Sequence, residues 1–127
     1  MPDAVAMAYL VLGRVEGDAH RIQQAARGKL TYAANCVSCH GAGLAGSYGP
    51  PLAGPYFDGK WRGKPLTDLL AKVHTMPPSR PDSLGDAAYA DLVAHILAVN
   101  RFAAGDAELP ADPALATGIA LGSGVQP

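Results

Sequence analysis

A chain of 127 residues is the length of one domain, and although 49% of it is hydrophobic, much of that is alanine and only 6% is aromatic. A formal charge of −1 with both signs interspersed excludes a basic nucleic-acid footprint, and no run approaches the roughly 18 to 20 apolar residues of a membrane-spanning helix. Fifteen glycines and eleven prolines predict short helices joined by long loops around a thin core, which would gain from a large apolar ligand. Residues 1–20 form an N-terminal extension or leader remnant. Their apolar run, Ala4 to Leu12, has an aspartate and no lysine or arginine ahead of it, and no clear cleavage site follows.

The domain proper is expected over residues 21–100. Its first helix spans about Arg21 to Asn35, where Ile22, Ala25, Ala26, Leu30 and Ala33 can share one apolar stripe. From Gly41 to Gly63 the chain is rich in glycine and proline and carries Tyr48, Tyr56, Phe57 and Trp61, so it reads as an ordered loop wrapped around something. Pro65 suits the first turn of the next helix, with Leu66, Leu69, Leu70 and Val73 on one face and Pro77-Pro78 as its stop. The last helix follows Ser83, which pairs with Asp86 in the manner of a capping box. It presents Tyr89, Leu92, Val93, Ile96 and Leu97 at amphipathic spacing. Residues 101–127 form an Ala/Gly/Pro-rich tail, either partly disordered or an arm laid over the domain. No strand pattern stands out, so the predicted class is all-α.

The chemistry concentrates in NCVSCHG, where Cys36 and Cys39 are the only cysteines and His40 follows directly. A structural zinc site needs four ligands, and His20, His74 and His95 are too isolated to supply a second pair. A thioredoxin-like CxxC belongs in a βαβ context that is missing here. An inert pair of buried cysteines explains neither His40 nor the loop after it. Haem attachment explains both: two thiols three positions apart add to the two vinyl groups, and the next imidazole lies under the iron. The far side of the iron has Met1, Met7, Met76, His20, His74 and His95 as candidates. Met76 ends the second helix beside a stiff Pro-Pro and is preferred over its nearest competitor, His74. His95 stands off the apolar stripe four residues after Asp91 and reads as half of an exposed His–Asp pair.

These residues resemble the class I c-type cytochromes over roughly Gly28 to Asn100. Gly28 and Tyr32 resemble the family's G-x-x-x-aromatic helix, NCVSCHG its attachment signature, and GPPLAG (Gly49 to Gly54) its G-P-x-L-x-G loop. Met76-Pro77 and the helix bearing Tyr89 resemble its distal loop and closing helix. The resemblance implies a cytochrome c fold of three or four short helices holding haem c covalently through Cys36 and Cys39, with iron ligands His40 and Met76. It further implies that the Pro50 carbonyl orients His40, that Gly28 lets the first and last helices cross with Tyr32 and Tyr89 packed nearby, and that Trp61 sits near the haem propionates.

A narrower similarity links MPPSRPDSL and the later AELP to cytochromes serving periplasmic quinoprotein (PQQ-dependent) dehydrogenases, although Arg101 and Ala103 stand where that pattern has Gly and Pro. The implied function is a non-enzymatic one-electron carrier in the bacterial periplasm. Its redox partners would be such a dehydrogenase as donor and a terminal oxidase or another cytochrome as acceptor. It would act as a monomer or as a subunit of a dehydrogenase complex, and its precursor would carry a signal peptide that residues 1–20 lack or obscure. The alternative is a haem enzyme or gas-binding protein with an open sixth position. Lys29, Lys60, Arg62, Lys64, Lys72 and Arg80 could ring an exposed haem edge, with only modest electrostatic steering expected from so small a net charge.

Overall fold

A computed structural model describes residues 12–102 and 108–122, with side chains from residue 22 onward. Five α-helices and one 3₁₀ turn follow in order: α1 (Leu12–Asn35), α2 (Val37–His40), α3 (Pro55–Trp61), α4 (Leu66–Val73), α5 (Asp86–Val99) and the turn Pro113–Ala116. Among the described residues there is no strand, only an isolated bridge between Pro65 and Ala120. The fold is all-α, as the sequence predicts. Met1, Met7, most of the Ala4–Leu12 run and Ala103 lie outside the described residues, as does the side chain of His20.

α1 begins at Leu12 rather than near residue 21, and it packs chiefly against α5. The face it buries is not the expected one. Ile22 and Leu30 are 68% and 74% exposed, whereas Gln24, Gly28 and Tyr32 turn inward. Gly28 explains the choice: a Cβ there would lie 1.9 Å from the Asp91 carbonyl oxygen and 3.0 Å from the Cβ of His95. Two helix backbones this close need a residue without a side chain at the crossing. The row containing Gly28 therefore faces α5, and the bulkier apolar row faces outward.

The loop between Gly41 and Gly63 is partly helical. α3 starts on Pro55, whose missing N–H costs nothing in a first turn, and buries Phe57 completely. α4 buries Leu66, Leu69 and Leu70 as expected. α5 begins at Asp86 itself with Gly85 as its N-cap at φ 91°, and no side chain caps it, so the Ser83–Asp86 capping box does not form. Tyr89, Leu92, Val93 and Ile96 are buried, and Leu97 packs against the same core. His95 is buried as well, at 8% exposure, because α1 covers the side of α5 opposite the apolar stripe. Asp91 does not pair with it; its carboxylate binds Arg27 at 3.1 Å. Tyr32 and Tyr89 take different aromatic partners, Tyr32 against His95 at 5.5 Å and Tyr89 against His74 at 4.2 Å.

Of the two readings of the tail, the arm describes residues 108–122. Gln24 grips its start, with Nε2 donating to the Leu109 carbonyl at 3.0 Å and Oε1 accepting from the Leu109 amide at 2.8 Å. Ala116 and Leu121 are buried further on. The Leu66 amide at the head of α4 donates to the Ile119 carbonyl at 2.8 Å, so the arm satisfies a donor that the helix leaves unpaired.

Candidate functional site

Cys36, Cys39 and His40 are placed by one tight turn. The His40 amide donates to the Cys36 carbonyl at 2.9 Å, and Gly41 at φ 85° then leads the chain away. The segment 41–52 curls back over this turn, with the Gly46 amide donating to the His40 carbonyl (2.8 Å) and the Gly49 amide to the Cys39 carbonyl (2.6 Å). Gly49 lies flat against the imidazole, where a Cβ would sit 2.8 Å from His40 Cε1. Tyr32 donates its hydroxyl to the Gly41 carbonyl, fastening the turn to α1.

Nδ1 of His40 lies 2.8 Å from the Pro50 carbonyl oxygen. A carbonyl can only accept, so Nδ1 carries the proton and Nε2 keeps its lone pair. His40 lines a cavity of about 490 Å³ together with Cys36, Cys39, Pro50, Trp61 and Met76, a volume within the roughly 300–1,000 Å³ of cofactor sites. Leu52, Leu69, Val73, Leu84, Leu92 and Ile96 complete its apolar wall. All six residues singled out in the sequence thus border one space. His74 and His95 are not among its lining residues. His74 is turned to Asp82, with Nδ1 and Oδ1 2.7 Å apart, and His95 to Tyr32.

Burial, then the neighbouring Cys39, pushes the Cys36 thiol up to about 11. A thiol so protonated at neutral pH is a poor redox nucleophile. Among the described residues, the one cluster of three potential metal ligands is His74, Asp82 and Asp86, which includes neither cysteine. Two thiols, an imidazole nitrogen, a thioether and apolar walls around one cavity fit the groups that hold haem c. Trp61 packs 6.4 Å from Phe57 with Lys60 Nζ 5.9 Å from its ring.

The family model described as "Cytochrome C oxidase, cbb3-type, subunit III" matches residues 23–96, more than half of the chain. The chain belongs to this family of c-type cytochromes. Neither a curated protein nor a solved structure matches. The matched span of the cytochrome includes CVSCH, GPPLAG and Met76 and stops short of the arm. Haem c is the cofactor the family implies, and electron transfer the chemistry it serves.

Two positioning residues of the cytochrome escaped the sequence reading. Asn100 donates to the Leu52 carbonyl at 2.8 Å and accepts from the Gly54 amide at 3.0 Å, pinning the loop that carries Pro50. Gln24 pins the arm. Neither stands in a motif; the available signals are an amide side chain at a helix end and a glutamine one turn before Gly28.

Proposed function

We propose that the cytochrome is a monohaem one-electron carrier, with haem attached covalently through Cys36 and Cys39 and with His40 and Met76 as its iron ligands. The observation that carries this reading is the His40–Pro50 bond, which commits Nδ1 and leaves Nε2 for iron at a cavity that both thiols and Met76 also line. When bound, haem supplies a reversible one-electron couple, and a thioether ligand in an apolar pocket favours the ferrous state. The chain's own contribution is to hold the imidazole tautomer, exclude water with the leucine and isoleucine wall, and keep the ligand loop closed.

The donor we propose is a periplasmic quinoprotein dehydrogenase, on the strength of MPPSRPDSL and AELP. The acceptor is a terminal oxidase or another cytochrome, a reading supported by the oxidase subunit in the matched family's name. The location is the bacterial periplasm, where c-type haem is attached. Enzymatic or gas-binding chemistry would require the sixth position to be open, and a thioether lining the same cavity as His40 supports the carrier reading instead.

A spectrum of the ferric haem-loaded protein tests the ligand pair. A low-spin spectrum with a sulfur–iron charge-transfer band that disappears in Met76→Ala supports it. A high-spin wild type that binds carbon monoxide rapidly once reduced would overturn it in favour of the open-site alternative.

A further inference from the structure

Met76 sits on the segment between α4 and α5, and the base of this segment is fastened twice by the same two residues. The Asp82 amide donates to the His74 carbonyl at 2.7 Å, and His74 Nδ1 lies 2.7 Å from Asp82 Oδ1. An ionised carboxylate has no proton to give, so Nδ1 is the donor. Asp82 reaches this position at φ 56°, a left-handed conformation that aspartate tolerates better than most side chains. The imidazole packs at a 34° tilt against the fully buried Tyr89 ring, with centroids 4.2 Å apart, and the Tyr89 hydroxyl donates to the Met76 carbonyl at 2.6 Å. One continuous set of contacts thus runs from Asp82 through His74 and Tyr89 to the backbone of Met76.

We propose that His74 and Asp82 form a clasp that closes the 75–81 loop and holds Met76 at the cavity, making both of them positioning residues for the sixth ligand. The proposal rests on Met76 being that ligand. Its physical basis is loop closure: with the base open, Met76 samples a wider set of positions, and the fraction of time its sulfur spends at the ligand position falls. Asp86 approaches the opposite ring nitrogen, with its Oδ1 3.9 Å from Nε2, whereas Asp82 engages Nδ1, so the two carboxylates do not meet at one ligand nitrogen. The Asp82 side chain is 71% exposed, so solvent screens the bond and the effect is bounded accordingly.

Imidazole added to the ferric haem-loaded protein competes with the thioether and reads out the clasp. Asp82→Gly keeps the positive φ accessible while removing the carboxylate, and His74→Gln moves the side-chain amide away from the Nδ1 position. Both should bind imidazole roughly two- to fivefold more tightly than wild type. Asp82→Asn retains an acceptor and His74→Asn places an N–H close to where Nδ1 stood, so both should stay near wild type. A loss of packing alone would not be rescued by these paired changes. Hydrogen exchange at the Asp82 amide supplies a second readout and should accelerate in His74→Gln but not in His74→Asn. Equal imidazole affinity across all four variants, with unchanged exchange, overturns the clasp. A wild type whose spectrum and imidazole affinity ignore Met76→Ala overturns the ligand reading instead, leaving the exchange experiment to judge the clasp by itself.

Discussion

A histidine can offer one ring nitrogen to a cofactor only when the proton is held on the other, and in His40 that task falls to a backbone carbonyl 2.8 Å away on Pro50. His95 is a different kind of histidine. It is buried beneath α1 against Tyr32, and burial, then the Lys29 charge, lowers its pKa from the usual 6.5. A depressed folded value means the unfolded chain binds the proton more readily. The stability this burial contributes is therefore complete above pH 6.5 and is lost as pH falls through the lower folded value. Asp58, held below its usual 3.8 by the Arg62 side chain, loses its contribution only at more acid pH, so the two windows separate. Denaturant unfolding of wild type should show a shallower midpoint at pH 5 than at pH 7.5, and His95→Gln should flatten that difference. An unchanged pH slope in the variant would show that His95 titrates alike in both states. CVSCH and GPPLAG made His40 legible in the sequence, but nothing local marked His95 as buried. Its neighbour four residues earlier is committed instead to an arginine on another helix.

At the level of elements, the α1–α5 crossing decides most of what the sequence left ambiguous. Gly28 in the middle of α1 is a poor helix former, and on propensity alone Gly28→Ala should stabilise the chain by about 1 kcal/mol. The crossing predicts the reverse. A methyl group 1.9 Å from the Asp91 carbonyl must push the helices apart, which costs about 3 kcal/mol of overpacking. Equilibrium unfolding in denaturant decides between the signs, and a stabilised alanine variant would mean that the helices do not approach this closely. The same crossing turns Ile22 and Leu30 outward. Periodicity identified α1, α4 and α5 as helices, because spacing is a property of the segment itself. It could not rank two candidate faces of α1, because that depends on which row fits against a partner. The capping box failed for a related reason: Gly85 supplies the turn into α5, so Ser83 is never asked to cap it.

On the scale of the whole molecule, net charge and local charge have opposite signs. The chain carries −1, yet the charged residues lining the cavity are Lys60, Lys72 and Arg80, all exposed, with no carboxylate among the lining residues. Exposed Tyr48 and Tyr56 stand beside them. Fields from individual charges fade within a screening length of about 8 Å at physiological salt and about 30 Å at low salt. A small redox probe at the cavity mouth therefore feels the three cations more than the distant remainder. Oxidation of the ferrous protein by hexacyanoferrate(III) should slow as salt is added, where the net charge alone predicts acceleration, and Lys60→Glu with Lys72→Glu should reverse the trend. Stopped-flow rates across ionic strength would settle the sign, and acceleration in wild type would remove the cationic mouth from the account.

The sequence by itself determined the helical class and the cytochrome family, and it singled out Cys36, Cys39, His40 and Met76, which line one cavity. The class and the motif depend on residue identity and short-range spacing, and Met76 is singled out by its own Met-Pro context. Only the tertiary structure decided which face of α1 is buried, where His74 and His95 point, and that residues 108–122 lie across α4 as an arm. Each of those outcomes depends on how closely two distant backbones can approach, and a one-dimensional pattern does not contain that distance.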